Sequence, residues 1–301
     1  MTGYHTPVLL KECIDGLKID PDGIYVDLTF GSGGHSKEIL KKIKGGKLVA
    51  FDQDEQVKQN IISDDRFVFV QGNFRFFKNF LLYLGIKKVH GILADLGVSS
   101  HHFDQTDRGF SYRSDGPLDM RMNSSSKQTA AQLVNTMTQE KLANLFYHYG
   151  ELNNARQIAS LIAKYRIEKP IETTFDLCQS LASATPKNGE YKFLAKVFQA
   201  IRIEVNNEME ALHEMLDQTP EMIYPEGRLV VLTYHSLEDR DVKNFIKAGN
   251  YSGKTESDVF GQISGLPFKA VNKKVIVPSD NEINNNSRAR SAKLRIAERN
   301  E

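Results

Sequence analysis

The stretch Asp27-Leu-Thr-Phe-Gly-Ser-Gly-Gly-His-Ser36 joins two segments of different periodicity. Residues 23–28 are short, apolar and β-branched, which is typical of a buried parallel strand, whereas residues 35–44 carry apolar side chains at helical spacing. The glycines therefore lie in a turn from a strand to a helix. Such a turn lets a nucleotide-like ligand approach the backbone and the free N–H groups of the helix N-terminus. Glycine clusters also form plain turns, so the loop alone leaves both interpretations open.

A second acid favours the ligand-binding interpretation. Residues 47–51 predict another strand, and Asp52 follows it about 20 residues after the glycines, where an acid can bind ribose hydroxyls. A dinucleotide fingerprint would have a third glycine at the position of Ser36. Asp27 would repel a pyrophosphate, but it suits a ligand with an ammonium and a sulfonium group. The pattern therefore favours S-adenosylmethionine over NAD.

Strand and helix patterns continue to alternate up to residue 100. Residues 66–70 and 89–94 predict two more strands, and residues 55–62 and 76–84 predict helices between the strands. This alternation predicts an α/β fold with a parallel sheet, in which ligands bind at the carboxyl ends of the strands. Asp27, Asp52, Phe74 and Asp95 each lie at the end of a strand, so we expect all four at one edge of the sheet.

The pattern changes after Ser100. Residues 101–123 predict a polar loop, and residues 138–149, 153–167 and 173–184 predict helices, followed by a long helix over 194–212. Strand character returns at residues 227–233. We interpret residues 109–205 as a helical substrate-recognition domain inserted into a core of residues 1–108 and 206–301. The alternative is that these helices merely cover the sheet.

Two charged segments suggest a phosphate-bearing partner. Residues 108–122 alternate Arg with Asp and include Phe110 and Tyr112, which suits phosphate binding and base stacking but also a salt-bridged surface turn. Residues 287–299 are basic although the formal net charge of the whole chain is +1. That segment indicates either contact with a nucleic acid backbone or a sheet edge protected by charge.

The segment after residues 227–233 brings a histidine to another strand end. His235 is expected near the same edge of the sheet, and Ser236 is expected to cap the helix that follows.

Composition limits the other possibilities. The 301 residues, of which 40% are hydrophobic, are enough for a sizeable core. The sequence has neither a signal peptide nor a long uninterrupted apolar segment, so a cytoplasmic protein without a membrane span is expected. Cys13 and Cys178 have no CxxC partner, so we expect no metal site. The oligomeric state, monomer or homodimer, stays open.

Six motifs together resemble one known family. They are DLTFGSGGHS (27–36), DLGVSS (95–100), RGFSYRSDGPLDMRM (108–122), FQAIRIEVN (198–206), YHSLEDR (234–240) and SRARSAKLRIAER (287–299). The chain closely resembles the bacterial methyltransferases that modify the cytosine N4 atom in small-subunit ribosomal RNA, and the resemblance covers nearly its whole length. It implies a class I S-adenosylmethionine-dependent methyltransferase (Rossmann-like) fold with an inserted α-helical domain. It also implies an RNA substrate in the decoding region, as free RNA or as the assembled small subunit.

The resemblance also assigns residues. Cofactor contacts fall on Gly33, Gly34, His35, Asp52, Phe74 and Asp95, with a further contact on His102, where the family normally has Gln. Many amino-methyltransferases have an Asp/Asn-Pro-Pro-aromatic motif after the fourth strand, and this chain has Asp95-Leu-Gly-Val there. Asp95 is therefore our hypothesis for the group near the amine. Secondary active-site candidates are Asp119 and His235, and the predicted RNA-binding residues are Arg121, Arg288, Arg290 and Arg295.

Rival functions differ in substrate and chemistry. A DNA amino-methyltransferase would share the same core, although no clear target-reading domain is visible. A ribosome-assembly factor would bind the cofactor without turnover. A hydride-transferring enzyme would bind NAD instead.

Overall fold

The computed structural model describes residues 7–98, 105–255 and 265–301. The chain divides into two compact units, Met1–Gly97 with Glu210–Glu301 and Val98–Met209. The first unit contains the sheet, and the second unit is built mainly from helices. The interval 109–205, predicted to recognise the substrate, lies within the second unit, and that role stays a prediction.

The first unit contains a seven-stranded sheet with the order β3-β2-β1-β4-β5-β7-β6. Strands β1 to β5 are parallel, whereas β7 runs antiparallel to β5 and to β6. The strands are β1 Ile24–Asp27, β2 Lys47–Asp52, β3 Phe67–Gln71, β4 Val89–Asp95, β5 Ile223–Thr233, β6 Phe268–Ala270 and β7 Lys293–Arg299. The predicted α/β, Rossmann-like class is thereby confirmed.

The strand order reverses between β1 and β4, which is where open α/β sheets bind ligands. Val26 of β1, Leu93 of β4 and Val230 of β5 are fully buried, as expected for strands covered on both faces. Asp27 and Asp95 lie at the carboxyl ends of β1 and β4. The fold therefore brings two carboxylates to this point of the sheet.

The helices of the described residues are, in chain order, α1 Leu10–Gly16, α2 Gly34–Lys42, α3 Phe77–Tyr83, α4 Ala130–Thr136, α5 Gln139–His148, α6 Ala155–Glu168, α7 Thr174–Ser180, α8 Glu190–Asn206, α9 Glu208–Met222, α10 Ser236–Ala248 and α11 Asp280–Asn285. Short 3₁₀ helices span Glu55–Asn60, Phe74–Phe76, Thr106–Arg108 and Ser287–Ser291. None of the helices in these described ranges is long and apolar enough to cross a membrane.

The helical stretch expected around residues 55–62 is present as the 3₁₀ helix Glu55–Asn60. Two local predictions were wrong. The long helix expected over 194–212 is interrupted by Asn207, whose left-handed backbone (φ 49°) ends α8 before α9 begins. Ser236 is the first residue of α10, and the cap is His235, whose side chain accepts the Glu238 N–H.

The second unit has its own apolar core. Buried side chains from α4 to α8, among them Leu133, Phe146, Ile158 and Ile201, form one cluster. The hydroxyl groups of Thr129 and Thr173 cap α4 and α7 through reciprocal capping boxes, which fixes where these helices begin. The helical segment therefore buries a hydrophobic core of its own, as a domain does.

Candidate active site

The glycine turn connects β1 to α2 as the sequence predicts. Gly33 is the N-terminal cap of α2 with φ 75°, and no side chain caps this helix, so its first N–H groups remain available. Gly31 also has a positive φ of 51°, and a Cβ added there would have no atom within 4 Å. A Cβ on Gly34 would lie 2.1 Å from Pro7 Cγ. Gly31 and Gly33 therefore form a left-handed turn with open space beside Gly31, which suits a ligand, whereas Pro7 packs closely against Gly34.

Asp27 is buried beneath this turn. Its side chain is 1% exposed, and its two oxygens accept hydrogen bonds from the Ser36 hydroxyl (2.6 Å) and the Thr29 N–H (3.1 Å). Burial raises the pKa of the Asp27 carboxyl above its ordinary value, and the hydrogen bond from Ser36 opposes this rise. Asp27 therefore holds the turn in shape. Its partner Ser36 occupies the position where a dinucleotide fingerprint would have glycine.

Asp52 connects the turn to the next strand end. One carboxylate oxygen accepts the Gly31 N–H (2.8 Å), and the other accepts the Asp54 N–H (2.9 Å). Asp52 is partly exposed at the end of β2, the position at which an acid can also bind a ribose.

Phe74 lies at the next strand end. It begins the 3₁₀ helix after β3, is half-buried, and follows Asn73, which caps that helix by accepting the Arg75 N–H (3.0 Å). The guanidinium group of Arg75 pairs with Glu214 at 2.5 Å, which anchors the segment. Phe74 is therefore held at the carboxyl edge of the sheet with part of its ring accessible.

Asp95 is the more accessible of the two carboxylates at the switch point. Its side chain is 24% exposed, and its backbone N–H donates to the Thr29 hydroxyl (2.7 Å). The Tyr234 hydroxyl donates to one carboxylate oxygen at 2.7 Å, and His35 Nδ1 lies 3.8 Å from the other. Burial raises the pKa of the Asp95 carboxyl, whereas His35 and the hydrogen bond from Tyr234 lower it. The second oxygen has no hydrogen-bond partner within the described residues.

His35, the second residue of α2, is 6% exposed. Its Nε2 atom lies 3.3 Å from the Val8 carbonyl oxygen, so the ring spans from this carbonyl to Asp95. The predicted cofactor contact of His35 stays a prediction, as do those of Gly33, Gly34, Asp52 and Phe74. His102 lies outside the described residues.

The other predicted active-site residues take part in local structure. In the second unit, the Arg121 guanidinium forms a bidentate pair with Asp119 (2.8 and 2.7 Å) and also donates to the carbonyls of Ser124 and Ser126. Burial raises the pKa of Asp119, but the hydrogen bonds from Arg121 outweigh it and lower the pKa overall. In the first unit, His235 is buried in the cap of α10, and its Nε2 lies 3.2 Å from a Glu238 oxygen.

The predicted RNA-binding arginines of the first unit differ in exposure. Arg288 and Arg290 are exposed on the 3₁₀ helix Ser287–Ser291. Arg295 lies in β7, is 17% exposed, and pairs with Asp239 at 2.7 Å. Lys293 pairs with the same carboxylate at 3.0 Å. Arg288 and Arg290 are therefore exposed at the surface, and Arg295 is held by Asp239.

Sequence reasoning missed Tyr234, Thr29 and Ser36, which hold the two carboxylates. Tyr234 directly follows β5, and the register pairs Asp95 with Leu232 on that strand. A search for side chains at the end of the strand next to β4 would have found it. The signal for Ser36 was that it places a hydroxyl group where a dinucleotide fingerprint has glycine.

Known proteins match nearly the whole length of the chain. The sequence model of a family described as the MraW methylase family matches residues 2–300. A protein named ribosomal RNA small subunit methyltransferase H from Parabacteroides distasonis is 58% identical over 298 residues, which cover 98% of this chain and 97% of the relative. A protein of the same name from Flavobacterium johnsoniae is 53% identical, with 98% of each chain covered.

A crystal structure of an rRNA methylase from Streptococcus thermophilus is 11% identical, has a TM-score of 0.44, and covers 99% of this chain and 100% of its own. The fold assignment depends instead on the strand order and directions of this chain.

Proposed function

The chain belongs to the MraW methylase family, and from this premise we propose that it transfers a methyl group from S-adenosylmethionine to ribosomal RNA of the small subunit. The relatives that support the substrate class are named as small-subunit ribosomal RNA methyltransferases and match over nearly their whole length. The acceptor that we propose is the exocyclic N4 atom of a cytidine in the decoding region.

The residues at the switch point fit the donor. The uncapped N-terminus of α2 and the open space at Gly31 offer a cradle, and Asp52 is positioned for ribose hydroxyls. Phe74 offers a ring face for adenine at the neighbouring strand end. Asp95 and Asp52 provide negative charge that suits an ammonium and a sulfonium group. We propose that Gly33, Gly34 and His35 complete this cradle. When bound, the donor supplies an activated methyl group.

The observation that carries the acceptor proposal is the hydrogen bonding of the Asp95 carboxylate. Tyr234 holds one of its oxygens, and the other has no hydrogen-bond partner within the described residues. The lone pair of a cytosine amino group is delocalised into the ring, so methylation requires that nitrogen to become pyramidal. A carboxylate oxygen that accepts an N–H of the amine favours this change and stabilises the developing positive charge. We assign this role to the second oxygen of Asp95.

The chain's own residues keep this oxygen available. The Thr29 hydroxyl accepts the Asp95 N–H, which fixes the backbone at the strand end. Tyr234 donates from a hydroxyl whose own pKa is raised well above its ordinary value, first by burial and then by Asp95, so it stays protonated and keeps donating. Such a prearranged acceptor costs little reorganisation during the reaction.

The decisive experiment compares possible methyl acceptors. Purified protein is incubated with radiolabelled S-adenosylmethionine and small subunits, naked ribosomal RNA or DNA, and the labelled nucleoside is identified by mass spectrometry. We expect label in N4-methylated cytidine of the small-subunit RNA. Label in DNA alone would favour the DNA amino-methyltransferase. Cofactor binding without any transfer would favour a non-catalytic assembly factor.

The variant Asp95→Asn tests the assigned role. Loss of one charged acceptor in the transition state should lower kcat by about 10²–10³-fold, by analogy with removal of a single preorganised hydrogen-bonding group. Asp65→Asn is the matched control, because Asp65 is exposed and precedes β3 at the opposite edge of the sheet. If Asp95→Asn binds the cofactor and methylates like the parent, Asp95 has no important role at the amine.

A further inference from the structure

The helical unit has a groove with a volume of about 420 Å³ that the proposed reaction does not use. This size falls within the range of pockets that hold small molecules, roughly 300–1,000 Å³. Its lining comes from the loop before α4, from α7 and from the start of α8. The lining residues are Tyr112, Arg113, Phe175, Glu190, Tyr191 and Leu194.

Three aromatic rings give this groove its chemistry. The side chains of Phe175 and Tyr191 are 49% and 70% exposed. Tyr112 is half-buried, and its ring centre lies 6.4 Å from that of Tyr191 and 5.6 Å, edge-on, from that of Phe198. Because Phe198 is buried in the helical core, Tyr112 is fixed while the other two rings face solvent. The groove therefore offers ring faces that a flat ligand can stack on.

Charged side chains of both signs lie around the rings. Arg113 is exposed, and its guanidinium forms neither an ion pair nor a hydrogen bond with any residue in the described part of the chain. Lys187 and Lys192, which flank Glu190 and Tyr191 in sequence, are exposed, and neither has an ion-pair partner within the same ranges. Glu190 is the negative group in the lining. Outside the lining, the exposed Asp115 accepts the Phe175 N–H at 3.3 Å. Because the Arg113 guanidinium has no ion-pair partner in the described ranges, it can pair with a phosphate, and Glu190 can accept a hydrogen bond from an amino group.

We propose that this groove binds an unpaired nucleotide of the RNA substrate, with its base stacked on Tyr191 and Phe175 and its phosphate paired with Arg113. The inference rests on the proposed function for the identity of the partner. Proteins read single-stranded RNA mainly by stacking bases on aromatic rings and by pairing arginine or lysine with the backbone. A base that is to be methylated at its exocyclic nitrogen must itself be unstacked, so an RNA segment with unpaired nucleotides accompanies the reaction. Exposed rings beside an uncompensated guanidinium match that segment.

The test measures RNA affinity by fluorescence anisotropy with the full-length protein and a labelled, unstructured single-stranded RNA oligonucleotide. Tyr191→Ala should weaken binding about tenfold, because base stacking on one ring typically contributes that much. Tyr191→Phe keeps the ring and should bind like the parent. The matched control is Tyr147→Ala, since Tyr147 is a 60% exposed aromatic residue of the same unit that does not line the groove.

Arg113→Gln tests the phosphate contact separately. We expect the slope of log K against log salt concentration to decrease by about 0.7, the value for one phosphate on a single strand. In methyl transfer to small subunits, both groove variants should raise KM and leave kcat at saturation near the parent value.

Two results would overturn the inference. One is equal RNA affinity of Tyr191→Ala and Tyr147→Ala. The other is normal binding of naked RNA combined with weaker binding of intact subunits, which would assign the groove to a ribosomal protein. A parent protein that methylates no ribosomal RNA would refute the proposed function instead, while the anisotropy comparison would still decide the role of the groove. Thermal unfolding of each variant, expected to match the parent, keeps a folding defect distinct from a binding defect.

Discussion

Replacement of Tyr234 by Phe should shift the pH dependence of methyl transfer. The Tyr234 hydroxyl donates to an Asp95 oxygen at 2.7 Å, and this hydrogen bond favours the ionised carboxyl. A hydrogen bond to a charged group contributes about 1.5–3 kcal/mol, and one pKa unit corresponds to about 1.4 kcal/mol. Because Asp95 is 24% exposed, water replaces part of the lost hydrogen bond. We therefore expect the lower end of this energy range, about 1.5 kcal/mol, and a further rise in the pKa of Asp95.

The direction of the pH shift follows from the form of Asp95 that accepts the amine N–H. The ionised carboxyl is the acceptor, so activity is present above the pKa of Asp95 and is lost as the pH falls through it. Burial already raises this pKa, and loss of the Tyr234 hydroxyl raises it further. The acid limb of kcat/KM should therefore move towards higher pH, while the rate on the plateau changes less.

The assay measures initial rates of methyl transfer to small subunits across pH, with the donor at saturation. Tyr224→Phe is the control, because it removes a tyrosine hydroxyl that makes no hydrogen bond with any residue described in the structure. If Tyr234→Phe loses activity equally at every pH, the hydroxyl positions the carboxylate without tuning its ionisation. An acid limb that coincides with that of the parent would refute the pKa argument.

Three further predictions concern the glycine turn, the Phe74 ring and two exposed arginines. Ser36→Ala removes a donor from buried Asp27, so the free energy of unfolding should fall by about 1–3 kcal/mol; an unchanged urea midpoint would contradict the structural role of this hydrogen bond. Phe74→Ala should weaken S-adenosylmethionine binding about tenfold in calorimetry while Phe74→Tyr retains it, and equal affinity of both variants would exclude stacking on the adenine. Arg288→Gln and Arg290→Gln should each lower RNA affinity and reduce its salt slope by about one unit, whereas an unaltered slope would mean that these exposed cations contact no phosphate.

The parallel sheet and its glycine turn were predictable because both have local signals. Buried parallel strands appear as short apolar runs, and a left-handed turn before a helix needs glycine, as at Gly33. The break between α8 and α9 was not predicted, because apolar side chains continue at helical spacing on both sides of Asn207. The signal there was the residue type, since asparagine adopts the left-handed backbone more readily than most residues.

The basic residues show a different limit of prediction from sequence. Spacing identifies a cation but not its partner, because an ion pair often joins distant parts of the chain. Arg295 and Asp239 are 56 residues apart in sequence, yet they meet at 2.7 Å. Burial raises the pKa of Asp239, but the hydrogen bonds and charges of Arg295 and Lys293 outweigh burial and lower this pKa overall. Such a pair stabilises the fold above the unfolded pKa of Asp239, and its contribution is lost as the pH falls through the lowered value.

The two carboxylates at the switch point were both identified from sequence, but only their surroundings distinguish their roles. Asp27 accepts hydrogen bonds at both oxygens and is 1% exposed, so it holds the glycine turn from inside the protein. Asp95 has one oxygen held by Tyr234 and the other unbonded within the described residues. Burial and the negative charge of Asp27 raise the pKa of Asp95, whereas His35 and the hydrogen bond from Tyr234 lower it. Ser36 satisfies the first carboxylate and Tyr234 orients the second, and this division leaves a single oxygen at the end of β4 to accept the amine.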